Sequence, residues 1–141
     1  MRFEIEMGLI DGSIEVTELP GLWNRKMKEY FGLEIENDKE GVLQDVHWSE
    51  GYFGYFPTYA LGTIYSSQVY EAMKKEFPDL ESQIRSGDFS KIAGWLKEKI
   101  HLHGRKFLAE DLIKNICGEG LNPDVYTKYL KEKYSHIYKF N

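Results

Sequence analysis

GVLQDVHWSEGYFGYFPTYALGTIYSSQ, residues 41–68, changes character in its middle. As far as Phe56 its apolar residues keep neither a 3.6-residue nor a 2-residue period, and Trp48, Tyr52 and Tyr55 crowd around Asp45 and His47. Something other than core packing shapes that half. Past Pro57 a helical period settles: Leu61, Ile64, Tyr65, Val69, Met73 and Phe77 fall on one inward face, which predicts a helix over 59–77 stopped before Pro78. In the irregular half, a carboxylate two residues ahead of an imidazole can orient that ring or grip a ligand amide. Tyr55 and Tyr59 are four apart, so a backbone turning helical near Pro57 brings both phenols to one face beside the imidazole. The plainer reading is His47 bonded to a loop carbonyl, Asp45 as a turn or cap residue, and tyrosines packed with their hydroxyls at the rim.

Working outward, the helical period dominates both flanks. On the N-terminal side, Phe3, Ile5, Leu9 and Ile10 make a short amphipathic helix ending at Asp11-Gly12, with no side-chain cap ahead of it. Thr17 is placed to cap a second helix, with Pro20 near its start and Leu19, Leu22, Trp23, Met27, Tyr30 and Phe31 at helical spacing until Gly32. Polar, acidic residues 34–40 then lead into the opening stretch. On the C-terminal side a short helix over 80–85 closes at Ser86-Gly87, and Ser90 is placed to cap the next, whose stripe of Ile92, Trp95, Leu96 and Ile100 runs up to Gly104. Phe107, Leu108, Leu112, Ile113 and Ile116 predict another, ended by Gly118 and Gly120. Asn122-Pro123 opens the last, carrying Tyr126, Tyr129, Leu130, Tyr134, Ile137 and Tyr138. No convincing strand alternation, repeat or low-complexity linker interrupts this, so the expected architecture is all-α, a packed helical array forming a single domain over 1–141.

The 141 residues suffice for a real core: a domain of this size buries about 68–70% of its unfolded surface. Hydrophobic content of 42% argues against disorder, and no apolar run approaches the roughly 20 residues of a membrane span. The N-terminus lacks a basic region followed by a cleavable apolar core, so the expected compartment is the cytoplasm. A net charge of −5, with Lys and Arg dispersed among acids, argues against a nucleic-acid partner. The single cysteine, Cys117, has apolar neighbours and reads as a buried, inert thiol. Any metal would need His and carboxylates. His101 and His103 point about 200° apart on a helix and cannot share an ion unless Gly104 breaks it; His103 and His136 read as exposed helix-end residues. A site from Asp45, His47 and His101 would need them to converge within about 2.0–2.2 Å of one ion. There is no HExxH, hence no complete metalloprotease zinc signature, and no metal is expected on this chain alone.

GVLQDVHW at 41–48 resembles the GxxQDxHW motif of the carboxypeptidase Taq family of zinc metallocarboxypeptidases. FGYFPTYALG at 53–62, IHxxG at 100–104 and GEGLNP at 118–123 resemble that family in order and spacing. RFEIE at 2–6 resembles its arginine-bearing motif, although the family often has Ala and Asp where this chain has Ile5 and Glu6. The resemblance implies the C-terminal portion of a mostly helical, zincin-like metallopeptidase fold, whose HExxH zinc site would lie before residue 1. It implies a substrate-side role for residues here: Arg2 gripping the terminal carboxylate of a peptide, His47 bonding substrate or the tetrahedral intermediate, and Tyr55 or Tyr59 meeting the oxyanion. Gln44 and Asp45 would order His47 and its loop. Expected partners are peptide C-termini and either a second copy or an HExxH-bearing chain. The alternative is a non-catalytic helical peptide-binding or structural module.

Overall fold

The computed structural model describes residues 1–140, and among these there are eight α-helices and no strand. They are α1 (Arg2–Asp11), α2 (Leu19–Phe31), α3 (Val46–Ser49), α4 (Pro57–Glu76), α5 (Leu80–Ser86), α6 (Ser90–Lys99), α7 (Ala109–Cys117) and α8 (Pro123–Tyr138). The all-α reading therefore holds. Two compact units share the chain, one over Met1–Tyr59 and one beginning at Ala60.

In the first unit α1 and α2 bury one large side chain each, Ile5 and Trp23. Complete burial of a side chain the size of Ile5 contributes about 1.5–3 kcal/mol. Lys26 and Tyr30 of α2 both reach Glu4 of α1 at 2.5 Å, a polar tie on the exposed side of the same pair. Helix α2 stops at Gly32, whose φ of 68° lies in the left-handed region and lets its N–H close on the carbonyls of Met27 and Lys28. In the second unit Met73, Leu80 and Trp95 form the core, with Val69, Phe77, Ile92 and Leu96 packed around them. Three consecutive helices, α4, α5 and α6, thus each contribute one buried anchor.

Several boundaries depart from the sequence reading, each for a local reason. Thr17 does not cap α2: residues Val16–Glu18 form a 3-10 turn, closed by reciprocal bonds between Glu15 and Glu18, that feeds directly into Leu19. Ser90 is the first residue of α6 and not its cap, because Asp88 Oδ1 accepts both the Ser90 N–H at 3.0 Å and its hydroxyl at 2.6 Å. Helix α4 starts at Pro57, ahead of Tyr59, with the ring supplying the φ a first helical residue needs. Helix α6 ends at Lys99, and His101–His103 continue as a 3-10 turn. Helix α7 begins only at Ala109, where Glu110 and Asp111 complement the positive N-terminal end of its dipole. Phe107, left outside it, packs edge-on against His103 at 5.3 Å. Asn122 caps α8 as expected, its side-chain oxygen accepting the Asp124 N–H at 3.0 Å. Leu61, Leu108, Tyr129, Tyr134, Ile137 and Tyr138, read as inward, are exposed.

Candidate functional site

Helix α1 carries Arg2 and Glu6 one turn apart, so both side chains leave the same face. Each reaches residues about forty places further along the chain. The Arg2 guanidinium pairs with the Asp45 carboxylate, whose side chain is 1% exposed while that of Arg2 is 33% exposed. Asp45 has a second task. It is the N-cap of α3, where Oδ1 accepts the Trp48 N–H at 2.7 Å. Glu6, itself 5% exposed, accepts the Trp48 indole N–H at 2.8 Å on Oε2 and the Gly54 N–H at 2.5 Å on Oε1. Hydrogen bonds to a charged acceptor contribute about 1.5–3 kcal/mol each, so two buried carboxylates fasten the 45–54 segment from both ends.

What they hold in place is a short turn bearing His47. The His47 carbonyl accepts the N–H groups of Glu50 and Tyr52, at 3.2 and 2.7 Å, which folds the chain back immediately after α3. Gly54 then turns with φ 73°, a conformation costly for any side-chain-bearing residue, and this brings its amide onto Glu6. The chain re-enters a helix at Pro57, and Tyr55, Phe56 and Tyr59 close around the imidazole with ring centroids 6.0, 5.9 and 5.8 Å from it. Tyr55 and Tyr59 meet edge to face at 5.6 Å.

The result is an open hollow of about 430 Å³ lined by Val46, His47, Glu50, Tyr52, Tyr55 and Tyr59. The three tyrosines are about half exposed. His47 Nδ1 is buried with no hydrogen-bond partner among the described residues, and so is Arg2 Nε. Buried polar atoms left unpaired are uncommon and invite a ligand. Local desolvation, then the neighbouring Tyr55, pushes the Tyr59 hydroxyl above the ordinary phenol value. A donor-rich aromatic hollow with an imidazole at its wall can stabilise negative charge on a bound group.

Of the residues singled out in the sequence, His47, Tyr55 and Tyr59 come together at this hollow. Asp45 does not touch the imidazole through any bond described here; it orders the turn through Trp48 and holds Arg2. The Arg2 guanidinium also lies over the Phe56 ring at 5.2 Å and the Trp23 ring at 5.9 Å. Gln44 is exposed, and its amide donates to the Lys39 carbonyl, securing the preceding loop. Sequence reasoning missed Glu6 as a site element. The available signal was its i,i+4 spacing from Arg2.

Among the described residues no three His, Cys, Asp or Glu side chains are grouped to hold an ion. Both carboxylates nearest the turn already accept two hydrogen bonds or an ion pair. The described residues do not fit a zinc site. Among the described residues no helix is long and apolar enough to cross a membrane.

A sequence profile described as "Carboxypeptidase Taq (M32) metallopeptidase" matches residues 1–134. Carboxypeptidase 1 of Bacillus subtilis is 43% identical over 138 residues, 98% of this chain and 28% of that protein. Thermostable carboxypeptidase 1 of Pyrococcus furiosus is 38% identical over 134 residues, 95% of this chain and 27% of its own length. Among solved structures, the M32 carboxypeptidase of Deinococcus radiodurans superimposes with a TM-score of 0.93 at 36% identity, over 99% of this chain and 28% of that one. Metallocarboxypeptidase 1 of Trypanosoma cruzi gives 0.89 at 47% identity, over 94% and 28%. The chain thus spans a little over a quarter of the length of the curated relatives it matches, in their helical fold throughout. On these grounds the chain belongs to the carboxypeptidase Taq (M32) metallopeptidase family.

Proposed function

We propose that this chain supplies the substrate side of a metallocarboxypeptidase, gripping the C-terminal end of a peptide, while a segment carrying HExxH holds the zinc. The single observation supporting this is the convergence of His47, Tyr55 and Tyr59 on one hollow with His47 Nδ1 buried and unpaired. In this reading His47 donates to the scissile carbonyl or the intermediate derived from it. One of the two phenols supports the oxyanion; a preorganised donor of that kind is typically worth about 2.7–4 kcal/mol. Arg2 contributes the positive charge that favours a terminal carboxylate, shared with the Asp45 pair that fixes its direction.

The test is release of C-terminal amino acids from a blocked dipeptide, with the chain alone and then mixed with the HExxH-bearing portion of the Bacillus subtilis relative. Turnover restored on mixing, and lost at least a hundredfold in His47→Ala, is the expected result. Binding of the free-acid peptide should also exceed binding of its C-terminal amide. Equal binding of acid and amide, with no turnover in either arrangement, would instead support a non-catalytic peptide-binding module.

A further inference from the structure

We propose that Glu6 is a positioning residue for this site: one buried carboxylate sets the separation between the His47 turn and the Tyr55 segment by holding a donor from each. The inference rests on the substrate-side reading above. Glu6 is 5% exposed and has no cationic partner in any ion pair described here, so it is not half of a salt bridge. Its oxygens are divided between two segments. Oε2 takes the indole N–H of Trp48, the residue next to His47, at 2.8 Å; Oε1 takes the N–H of Gly54, the residue next to Tyr55, at 2.5 Å.

The two donors belong to two stretches of chain, one next to His47 and one next to Tyr55. Trp48 lies on α3, pinned at its backbone by Asp45, and its ring packs edge-on against the buried Trp23 at 6.1 Å. Gly54 sits in the loop between α3 and α4, and its amide is held by Glu6. Without the carboxylate, the 51–54 segment keeps only short-range turns, Gly51 N–H to Trp48, Tyr52 N–H to His47 and Phe53 N–H to Gly51, and none of them holds the Gly54 amide. Tyr52 would stay tied to the His47 turn, while Gly54 and Tyr55 after it would be free to drift relative to the imidazole. Misplacement by about 1 Å is enough to cost a hundredfold in rate. Glu6 itself does not line the hollow. It acts through the residues it holds.

A purely structural role for Glu6 would lower stability and leave a surviving folded fraction with normal kinetics. A positioning role changes kcat in folded protein. The experiment compares Glu6→Gln, Glu6→Asp and the parent in the complemented enzyme, with unfolding by urea followed in parallel. Glu6→Gln keeps the shape and one acceptor but replaces the other with a donor facing an N–H. The expected result is a fall in kcat of about ten- to a hundredfold with KM changed less than threefold. Glu6→Asp, which retains both acceptors, should recover most of the loss. In the 141-residue chain, NMR should show the Trp48 indole and Gly54 amide resonances shifting and the Gly54 amide exchanging faster.

If Glu6→Gln does not fold, Trp48→Phe removes one donor while leaving the carboxylate and the ring, and should give the same split between kcat and KM at smaller size. Parental kcat in folded Glu6→Gln or Trp48→Phe overturns the inference. So does a loss confined to stability, or one that Glu6→Asp does not relieve. The controls His47→Ala and Tyr55→Phe separate the two levels: if both turn over normally, the substrate-side reading fails, whereas losses there beside an unaffected Glu6→Gln sink only the role given to Glu6.

Discussion

Asp45 satisfies a helix N-terminus and a guanidinium with one side chain, which makes it the most exposed point of failure in the first unit although it is itself buried. Removing it in Asp45→Ala strands Arg2 beside two aromatic rings and uncaps α3. The expected loss is about 3 kcal/mol by urea unfolding, at the low end for breaking a buried pair because a third of the Arg2 side chain remains in water. Glu4 predicts the pH behaviour of the same unit. Hydrogen bonds first from Lys26 and then from Tyr30 lower its pKa, while Glu4 in turn raises theirs. A depressed carboxylate contributes stability above its unfolded pKa and loses it as pH falls through the folded one. Glu4→Gln should therefore be less stable than the parent at neutral pH, and the difference should vanish in acid, below the ordinary carboxylate range. A difference unchanged at acid pH would mean the tie is not electrostatic. The cluster was readable where its members sit within fifteen residues: Asp45, His47 and Tyr55 crowd one irregular stretch and Tyr59 follows just beyond it. Glu6 was not, because its donors are 42 and 48 residues away and its one local signal, the i,i+4 spacing from Arg2, says nothing of burial.

At the scale of elements, α4 and the turn before α8 are joined by one amide. Gln68 is 3% exposed; its Nε2 donates to the Gly120 carbonyl at 2.8 Å and its Oε1 accepts the Asn122 N–H at 3.0 Å. Gln68→Ala leaves both backbone groups without that partner, and a cost of about 2–3 kcal/mol in urea is expected, with little of it regained by Gln68→Leu. Gly94 gives the opposite sign: it lies inside α6, and an added Cβ meets nothing within 4 Å. Gly94→Ala should raise stability by about 0.5–1 kcal/mol, which a shifted urea midpoint at constant slope would record. These two cases also mark what a sequence can and cannot say about helices. Apolar spacing foretells that α2, α4, α6 and α8 exist, because burial is periodic in the chain. Starts escaped where a neighbour outcompeted the expected cap, as Asp88 does for Ser90 and the Glu15–Glu18 turn does for Thr17. Facing was misjudged in α8, where Tyr129, Tyr134 and Tyr138 have the right spacing for a core yet are exposed here, since period reports amphipathicity and not what the face meets.

At the scale of the whole molecule, that exposure bears on association. Leu102, Leu108, Ile137 and Tyr138 are each more than half exposed, as are Ile10, Val16 and Leu43 near the other end of the sequence. Single exposed apolar residues are ordinary, but so many large ones in a chain spanning a little over a quarter of its relatives' length favour further contacts. Two partners could cover them, a second copy or the HExxH-bearing portion, and sedimentation velocity separates these. Alone, the chain should sediment with a coefficient that rises with concentration as copies associate. Mixed with the HExxH-bearing portion of the Bacillus subtilis relative, it should collapse to one species of equal stoichiometry, because a surface shaped to one partner binds it more tightly than it binds itself. Ile137→Asp with Leu108→Asp, both at exposed positions, should weaken the mixed complex without lowering the midpoint of unfolding of the chain alone. A concentration-independent monomer that ignores the added segment would show that these side chains face water by design, and the division of labour between grip and metal would fall with it.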